Sequence, residues 1–335
     1  MHSLSTQGRN KVARGRAKAV AAQDDAPGLS GWARRPGDRQ FVAALARGLE
    51  VLRAFRPNDG LLGNLEISER TNLPRPTVTR LTYTLTKLGY LTYLERLGRY
   101  KLAPAALSIG YAAMANFRIR EVARPFMQEM ADEASASVAL GGPDRLSMVY
   151  IGHCRSDTPG IGVRLDVGSR VPMATTAMGR AYLAALPEPD REEMFELIRH
   201  RAGGDWPNIR AAIEDKIEQV ATRGFAMSVG EWQEDVNGVG VPFVPDDGSG
   251  ILAFNCGAPA FRLDRDRLQS ELGPRLVSMV QSMSRILTGT GMDFDSRNGQ
   301  GADFSTGERG GENGHAQRKG NRPKAASRGA RQAGN

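Results

Sequence analysis

Residues 71–91, TNLPRPTVTRLTYTLTKLGYL, constrain the fold of this 335-residue chain more than any other stretch. Val78, Leu81, Leu85 and Leu88 recur at helical spacing and form one apolar stripe. Pro74-Arg75-Pro76 marks the helix start, because proline presets φ and gives up only an amide that the first turn leaves unpaired. The opposite face holds Thr79, Arg80, Tyr83 and Lys87, with Arg75 and Thr77 projecting from the N-terminal end. A merely solvated face favours Glu, Lys, Gln and Ala. This one spends positions on Thr and Tyr and carries no acidic residue. Such a face suits a DNA major groove: Arg80 to fork onto guanine, threonines for thymine methyls or phosphates, Tyr83 for a phosphate.

The flanking sequence completes a module. Val42, Leu45, Ala46, Leu49, Leu52 and Phe55 predict a first helix, stopped by Pro57-Asn58-Asp59-Gly60. Asn64 reads as the N-cap of a second, short helix with Glu66 in its first turn, running to about Thr71. Asn72 suits the left-handed turn before the third helix. After Gly89, YLTYLERLGRYKLA predicts two strands around a turn near Glu95–Gly98, carrying Arg96, Arg99 and Lys101. Three helices and a basic hairpin make a winged helix-turn-helix.

Charge agrees with that division. The net charge of +8 is +5 over residues 1–40, +5 over 41–104, −5 over 105–288 and +3 thereafter. A basic N-terminal third on an acidic body points to a polyanion-binding module joined to something with another task. Residues 1–40 read as a disordered basic arm and 289–335 as a disordered basic low-complexity tail. No apolar run approaches a membrane span, and the two cysteines, Cys154 and Cys256, form no motif. A cytoplasmic protein is the expectation.

The acidic body is helix-rich from Pro104 to about Glu133, with Leu107, Gly110, Tyr111, Met114 and Phe117 on one apolar face. SVALGGPDRLSMVYIGHC predicts a hairpin around Gly141–Asp144, and GIGVRLDVG another strand. Helices are predicted near 176–186, 189–200, 208–223 and 264–288, with strands near 224–231, 237–244 and 250–256. Glycine turns without a long βαβ series indicate an antiparallel sheet flanked by helices, an α+β class. No catalytic constellation, dinucleotide fingerprint or phosphate loop is present. His153 and Cys154 are neighbours on a strand and point to opposite faces, a poor metal pair. No enzyme activity, cofactor or metal is expected. GSRVPMATTAMG, with a helix N-terminus near Thr176, instead suits a small anionic ligand, since the first amides of a helix are unpaired. The same small residues also suit tight helix–sheet packing. Asn255 and Cys256 are placed at a strand end facing that cavity, and Arg170 and Arg180 as groups that attract an anion.

LARGLEVLRAF, LEISERTNLPRPTVTRLTYTLTKLGYL and GRYKL resemble the DNA-binding domain of IclR-type bacterial transcriptional regulators. GSRVPMATTAMGRAYLAAL and GVGVPFVPDDGSGILAFNCGAPAFRL resemble that family's effector domain, so the likeness covers about residues 41–288. It implies a winged helix-turn-helix (41–103), a linker and dimerisation helix (104–118) and a GAF-like effector-binding domain (119–288). By family position, Ala177 and Met178 present amides to an effector, Val163, Val171 and Val236 form apolar walls, and Ser228 and Gly238 take polar positions. Ser68, Asn72, Pro76, Arg180 and Asp235 depart from the usual pattern; Pro76 removes a phosphate-contacting group, and Asp235 loosens the carry-over around it. The expectation is a sequence-specific regulator with a double-stranded DNA operator, a small organic-acid effector, and a homodimer or dimer of dimers. The competing readings are a nonspecific architectural DNA-binding protein and an enzyme with an appended DNA-binding domain.

Overall fold

The computed structural model describes residues 39–287, except 58, 158–164, 247 and 249. The expected N-terminal arm (save its last two residues), the C-terminal tail, Val163 and most of the GIGVRLDVG strand therefore lie outside the described residues.

Three helices open the chain: α1 (Ala43–Arg53), α2 (Asn64–Thr71) and α3 (Arg75–Lys87). They enclose a small core of Val51, Ala54, Leu62, Ile67, Leu73, Val78, Leu85 and Leu91. Gly63, not Asn64, is the N-cap of α2, and its N–H donates to the Glu66 carboxylate at 2.8 Å. Asn72 ends the helix at φ +52°, a conformation that Asn adopts more readily than most residues. The apolar stripe of α3 differs from its spacing in one respect. The helix ends at Lys87, and Leu88, its C-cap, turns outward to 63% exposure. Thr82 is fully buried in its place, made tolerable by a hydroxyl that donates to the Val78 carbonyl at 3.0 Å. The hairpin of β1 (Leu91–Leu94) and β2 (Arg99–Leu102) turns through Glu95–Leu97 and Gly98, and Leu62 pairs with Tyr100 beside it.

Two helices follow, α4 (Pro104–Ala115) and α5 (Arg118–Ala134), then a six-stranded antiparallel sheet. Its strands are β3 (Ser137–Asp144), β4 (Ser147–Arg155), β5 (Arg170–Pro172), β6 (Ala226–Val229), β7 (Val236–Phe243) and β8 (Leu252–Pro259), in spatial order β5-β4-β3-β8-β7-β6. Alternation sorts the strands into two cores. Val138, Leu140, Val239, Val241, Phe254 and Cys256 face α5 and α9 (Gly273–Leu287). Ala139, Tyr150, Ala226 and Ala253 face α6 (Ala177–Ala185), α7 (Glu188–Ala202) and α8 (Trp206–Arg223).

Two strand expectations need correction. Gly141–Asp144 is not the turn but the end of β3, beyond a bulge at Leu140/Gly141; the chain reverses at Arg145, φ +59°. Pro143 is tolerated there because β3 pairs with β8 only as far as Gly141. Residues 165–168 form loop and turn, and the strand comes later, at Arg170–Pro172.

Candidate functional site

The first candidate surface is the outer side of α3. Arg75, Thr79, Arg80, Tyr83 and Lys87 are exposed, and Thr77 is half-buried. Local bonding explains how threonines persist in this helix. Thr79 and Thr84 donate back to the carbonyls of Arg75 and Arg80, and Asn64 on α2 donates to the Thr79 hydroxyl at 3.2 Å. Lys87 sits 5.5 Å above the Tyr83 ring, so the two side chains form one amphipathic unit. On the wing Arg96 is exposed. Arg99 is more committed: it donates to the Leu61 carbonyl at 3.0 Å and pairs with Glu66 at 2.9 Å, bracing the wing against α2. Burial opposes the charged form of Asp59, but Arg70 and the Arg56 amide overcome it and hold the carboxyl below its ordinary pKa. That clamps the α1–α2 turn.

The second site is a cavity between the sheet and the N-terminus of α6. It measures about 50 Å³, on a scale where one water needs roughly 10–15 Å³. Val171, Thr176, Ala177, Met178, Ser228, Val236, Gly238 and Asn255 all line it. Thr176 caps α6: its hydroxyl accepts from the Gly179 N–H at 3.1 Å and donates to the Pro172 carbonyl at 2.6 Å. The first turn closes with Arg180 N–H to Thr176 C=O at 3.1 Å. Ala177 and Met178 are thus the two amides that helix geometry leaves for an outside acceptor.

Glycine makes that approach possible. A β-carbon at Gly240 on β7 would lie 2.4 Å from the Ala177 carbonyl oxygen, and one at Gly179 would lie 2.2 Å from the Met173 carbonyl oxygen. The small residues of GSRVPMATTAMG thus serve tight helix–sheet packing, and that packing sets the N-terminus of α6 against the cavity.

Three expectations about this site fail. Cys256 is absent from the cavity: one residue beyond Asn255, it points through the opposite face into the α5/α9 core, where burial pushes its thiol pKa up to about 12. Arg180 is buried and spent on the Ala174 carbonyl (2.7 Å) and Glu231. Arg170 is spent on Asp144, at 2.9 Å. Ser228 lines the cavity but donates to the Thr175 carbonyl at 3.2 Å.

Sequence reasoning missed Tyr150, His153, Trp232 and Ala139, all of which line the cavity. The missing signal was register. His153 on β4 and Asn255 on β8 both sit opposite Ala139 of β3. Burial holds the His153 imidazole pKa below its ordinary value, against a weaker upward pull from Asp166, whose carboxylate is 3.8 Å from Nδ1. Among the described residues no group of three or more His, Cys, Asp or Glu side chains could hold a metal, and no helix is long and apolar enough to cross a membrane.

One more cluster joins the two halves. Arg53 of α1 donates to Asp144 at 3.0 Å, Arg145 clamps the buried Glu50 of α1, and Arg170 shares Asp144. Burial opposes ionisation of Asp144, yet the two arginines prevail and its carboxyl pKa lies below the usual value.

A winged helix-turn-helix followed by an α+β sheet domain with a cavity at a helix N-terminus defines a DNA-binding regulator with a sensory domain. Comparison with known proteins agrees. Residues 111–285 match the family model for the bacterial transcriptional regulator IclR C-terminal domain, and 44–95 match the IclR helix-turn-helix domain. The chain belongs to the IclR family of transcriptional regulators. It is 34% identical over 244 residues to the HTH-type transcriptional regulator TsaQ1/TsaQ2 of Comamonas testosteroni, covering 72% of this chain and 87% of that one. An IclR family regulator from Brucella abortus has a solved structure that superposes with a TM-score of 0.68 at 47% identity, covering 74% of this chain and 94% of that chain. An IclR homolog from Microbacterium hydrocarbonoxydans, complexed with 4-hydroxybenzoate, shares the fold with a TM-score of 0.56 at 21% identity, covering 73% and 98%.

Proposed function

We propose that this protein is a cytoplasmic regulator that binds a specific operator as a homo-oligomer and releases or retains it according to a small organic acid in the α6 cavity. The observation that carries the reading is the pair of amides at Ala177 and Met178, open to a mainly apolar cavity. A helix N-terminus favours an anion, and the apolar walls of Val171 and Val236 favour a small hydrocarbon frame. Arg75, Thr77, Thr79, Arg80, Tyr83 and Lys87 meet the major groove, with Arg96 on the wing; Arg99 contributes mainly by holding the wing in place.

Self-association is supported by apolar surface that one chain leaves uncovered. No residue of α4 is buried, although Leu107 and Tyr111 lie on it at 75% and 69% exposure, and Leu45 and Leu49 of α1 and Val42, its N-cap, are exposed as well. Two winged helices reading half-sites one turn apart gain specificity that one module lacks.

The test is binding to DNA upstream of the protein's own gene, against scrambled duplex, over a salt series. A preference of roughly a thousandfold at physiological salt supports a sequence-specific regulator. Equal binding to both duplexes that collapses as salt rises means that the operator lies elsewhere or that the basic arm and tail dominate, and a repeat with residues 41–288 separates the two.

A further inference from the structure

We propose that His153 and Asn255 select an effector that carries a hydrogen-bond-donating hydroxyl in addition to its carboxylate. The inference rests on the reading of the α6 cavity as the effector site and names the ligand class it takes.

The pairing register makes one straight row across the sheet: His153 on β4, Ala139 on β3, Asn255 on β8, Gly240 on β7 and Ala226 on β6. Side chains along such a row share a face. Only His153 and Asn255 in it carry polar side chains; the rest are alanine or glycine. The α6 N-terminus rests on Gly240, next to Asn255. His153 stands three strands away, about 14 Å at 4.7–4.9 Å per strand. Once the cavity of about 50 Å³ has widened around it, a ligand anchored by its carboxylate on the Ala177 and Met178 amides runs along this row over Ala139, with its far end toward His153.

Two polar atoms along this row are left unsatisfied by the described residues. The His153 side chain is only 4% exposed, and among the described residues neither its Nε2 nor the buried Asn255 Oδ1 has a hydrogen-bond partner. Such atoms are costly to bury unpaired. Their chemistry has a direction. Burial lowers the pKa of the His153 ring, and Asp166 beside Nδ1 favours the neutral tautomer with the proton on that nitrogen, in which Nε2 is the acceptor. Asn255 uses its amide nitrogen on the Tyr150 hydroxyl at 3.4 Å, which turns Oδ1, another acceptor, to the cavity. Two buried acceptors call for a donor. Tyr150, which receives the Asn255 bond, keeps its own O–H to give. A hydroxyl donates to one and accepts from the other; a bare ring or a methyl ether cannot do both.

The experiment is calorimetric titration of the full-length protein with benzoate, 3- and 4-hydroxybenzoate, and 3- and 4-methoxybenzoate, repeated on His153→Phe and Asn255→Leu. Unliganded operator affinity reports whether each variant is folded. The tighter hydroxy isomer is expected to bind at least about tenfold better than benzoate, since a site built to bond a hydroxyl rejects the analogue lacking it. The matching methoxy compound should gain nothing, and the hydroxy-to-benzoate ratio should fall toward one in a folded variant. Benzoate binding as well as its hydroxylated forms overturns the inference and leaves the effector site standing. So does a methoxy compound that matches the hydroxyl, or a ratio that neither variant moves. Failure of every compound, benzoate included, removes the carboxylate site and this inference with it.

Discussion

Arg80 and Gly179 show how differently single residues act here. Arg80 is exposed in the middle of the outer face of α3, so its removal leaves the core intact. If it forks onto a guanine, Arg80→Ala costs roughly 1–3 kcal/mol of operator binding and relaxes specificity at one base pair. Titration against single-base operator variants checks this; uniform loss across all variants would make it a phosphate contact. Gly179 touches no ligand, yet a methyl group there meets the Met173 backbone. Gly179→Ala should destabilise the fold by about 1–3 kcal/mol, as overpacking does, measured by denaturant unfolding. Thr176→Val sits between the two cases. It removes the α6 cap, worth roughly 0.5–2 kcal/mol, and loosens the turn that aims the Ala177 and Met178 amides.

Among the elements, α4 is the one that a single chain does not complete. It is mostly apolar and none of its residues is buried, whereas α5, immediately after, buries Ile119, Ala123, Met127 and Met130. An apolar helix without a covered face is a candidate interaction surface. If α4 holds the proposed oligomer together, Tyr111→Glu should convert it to monomer in sedimentation velocity while circular dichroism stays unchanged. Operator affinity should drop more than that of any one phosphate-contact variant, because half-site cooperation is lost with the dimer. An unchanged sedimentation coefficient would move self-association elsewhere.

For the whole molecule, the proposed function needs a route from the cavity to the winged helix-turn-helix. Arg170 offers a physical link: it follows directly on the chain before Val171, a cavity wall, and it shares Asp144 with Arg53 of α1. A ligand that shifts β5 shifts the partner of a residue in the DNA-binding module. Effector and operator then alter each other's affinity by one coupling free energy. Asp144→Asn should shrink the effector's effect on operator affinity while leaving effector affinity in the isolated 119–288 domain nearly as it was, if that domain folds alone. Acid should do the same. Because the folded Asp144 pKa is depressed, its stabilisation is fully present above the unfolded value near 4 and disappears as pH falls through the lower folded pKa. Acid unfolding curves of the parent and Asp144→Asn should therefore begin to converge below about pH 4 and meet once the pH is under the depressed folded pKa.

Local chemistry accounts for what was legible from the chain alone. The Pro74–Pro76 helix start, the left-handed Asn72, the turn at Glu95–Gly98 and the apolar periodicities each depend on a few adjacent residues, so the winged helix and the antiparallel α+β body could be read directly. The family likeness then pointed to Val171, Ala177, Met178, Ser228, Val236 and Gly238, which line the cavity, and not to the rest of its wall. What tertiary structure decided lies in pairings between residues far apart in sequence. Only register puts His153, Ala139 and Asn255 in one row, because any strand offers two faces and a bulge at Leu140/Gly141 resets which residue opposes which. Only three-dimensional charge pairing shows that Arg170 and Arg180 are already spent on Asp144 and Glu231. Cys256 fell on the wrong side for the same reason: a one-residue step along a strand reverses the side chain, and no local pattern says which face holds the ligand.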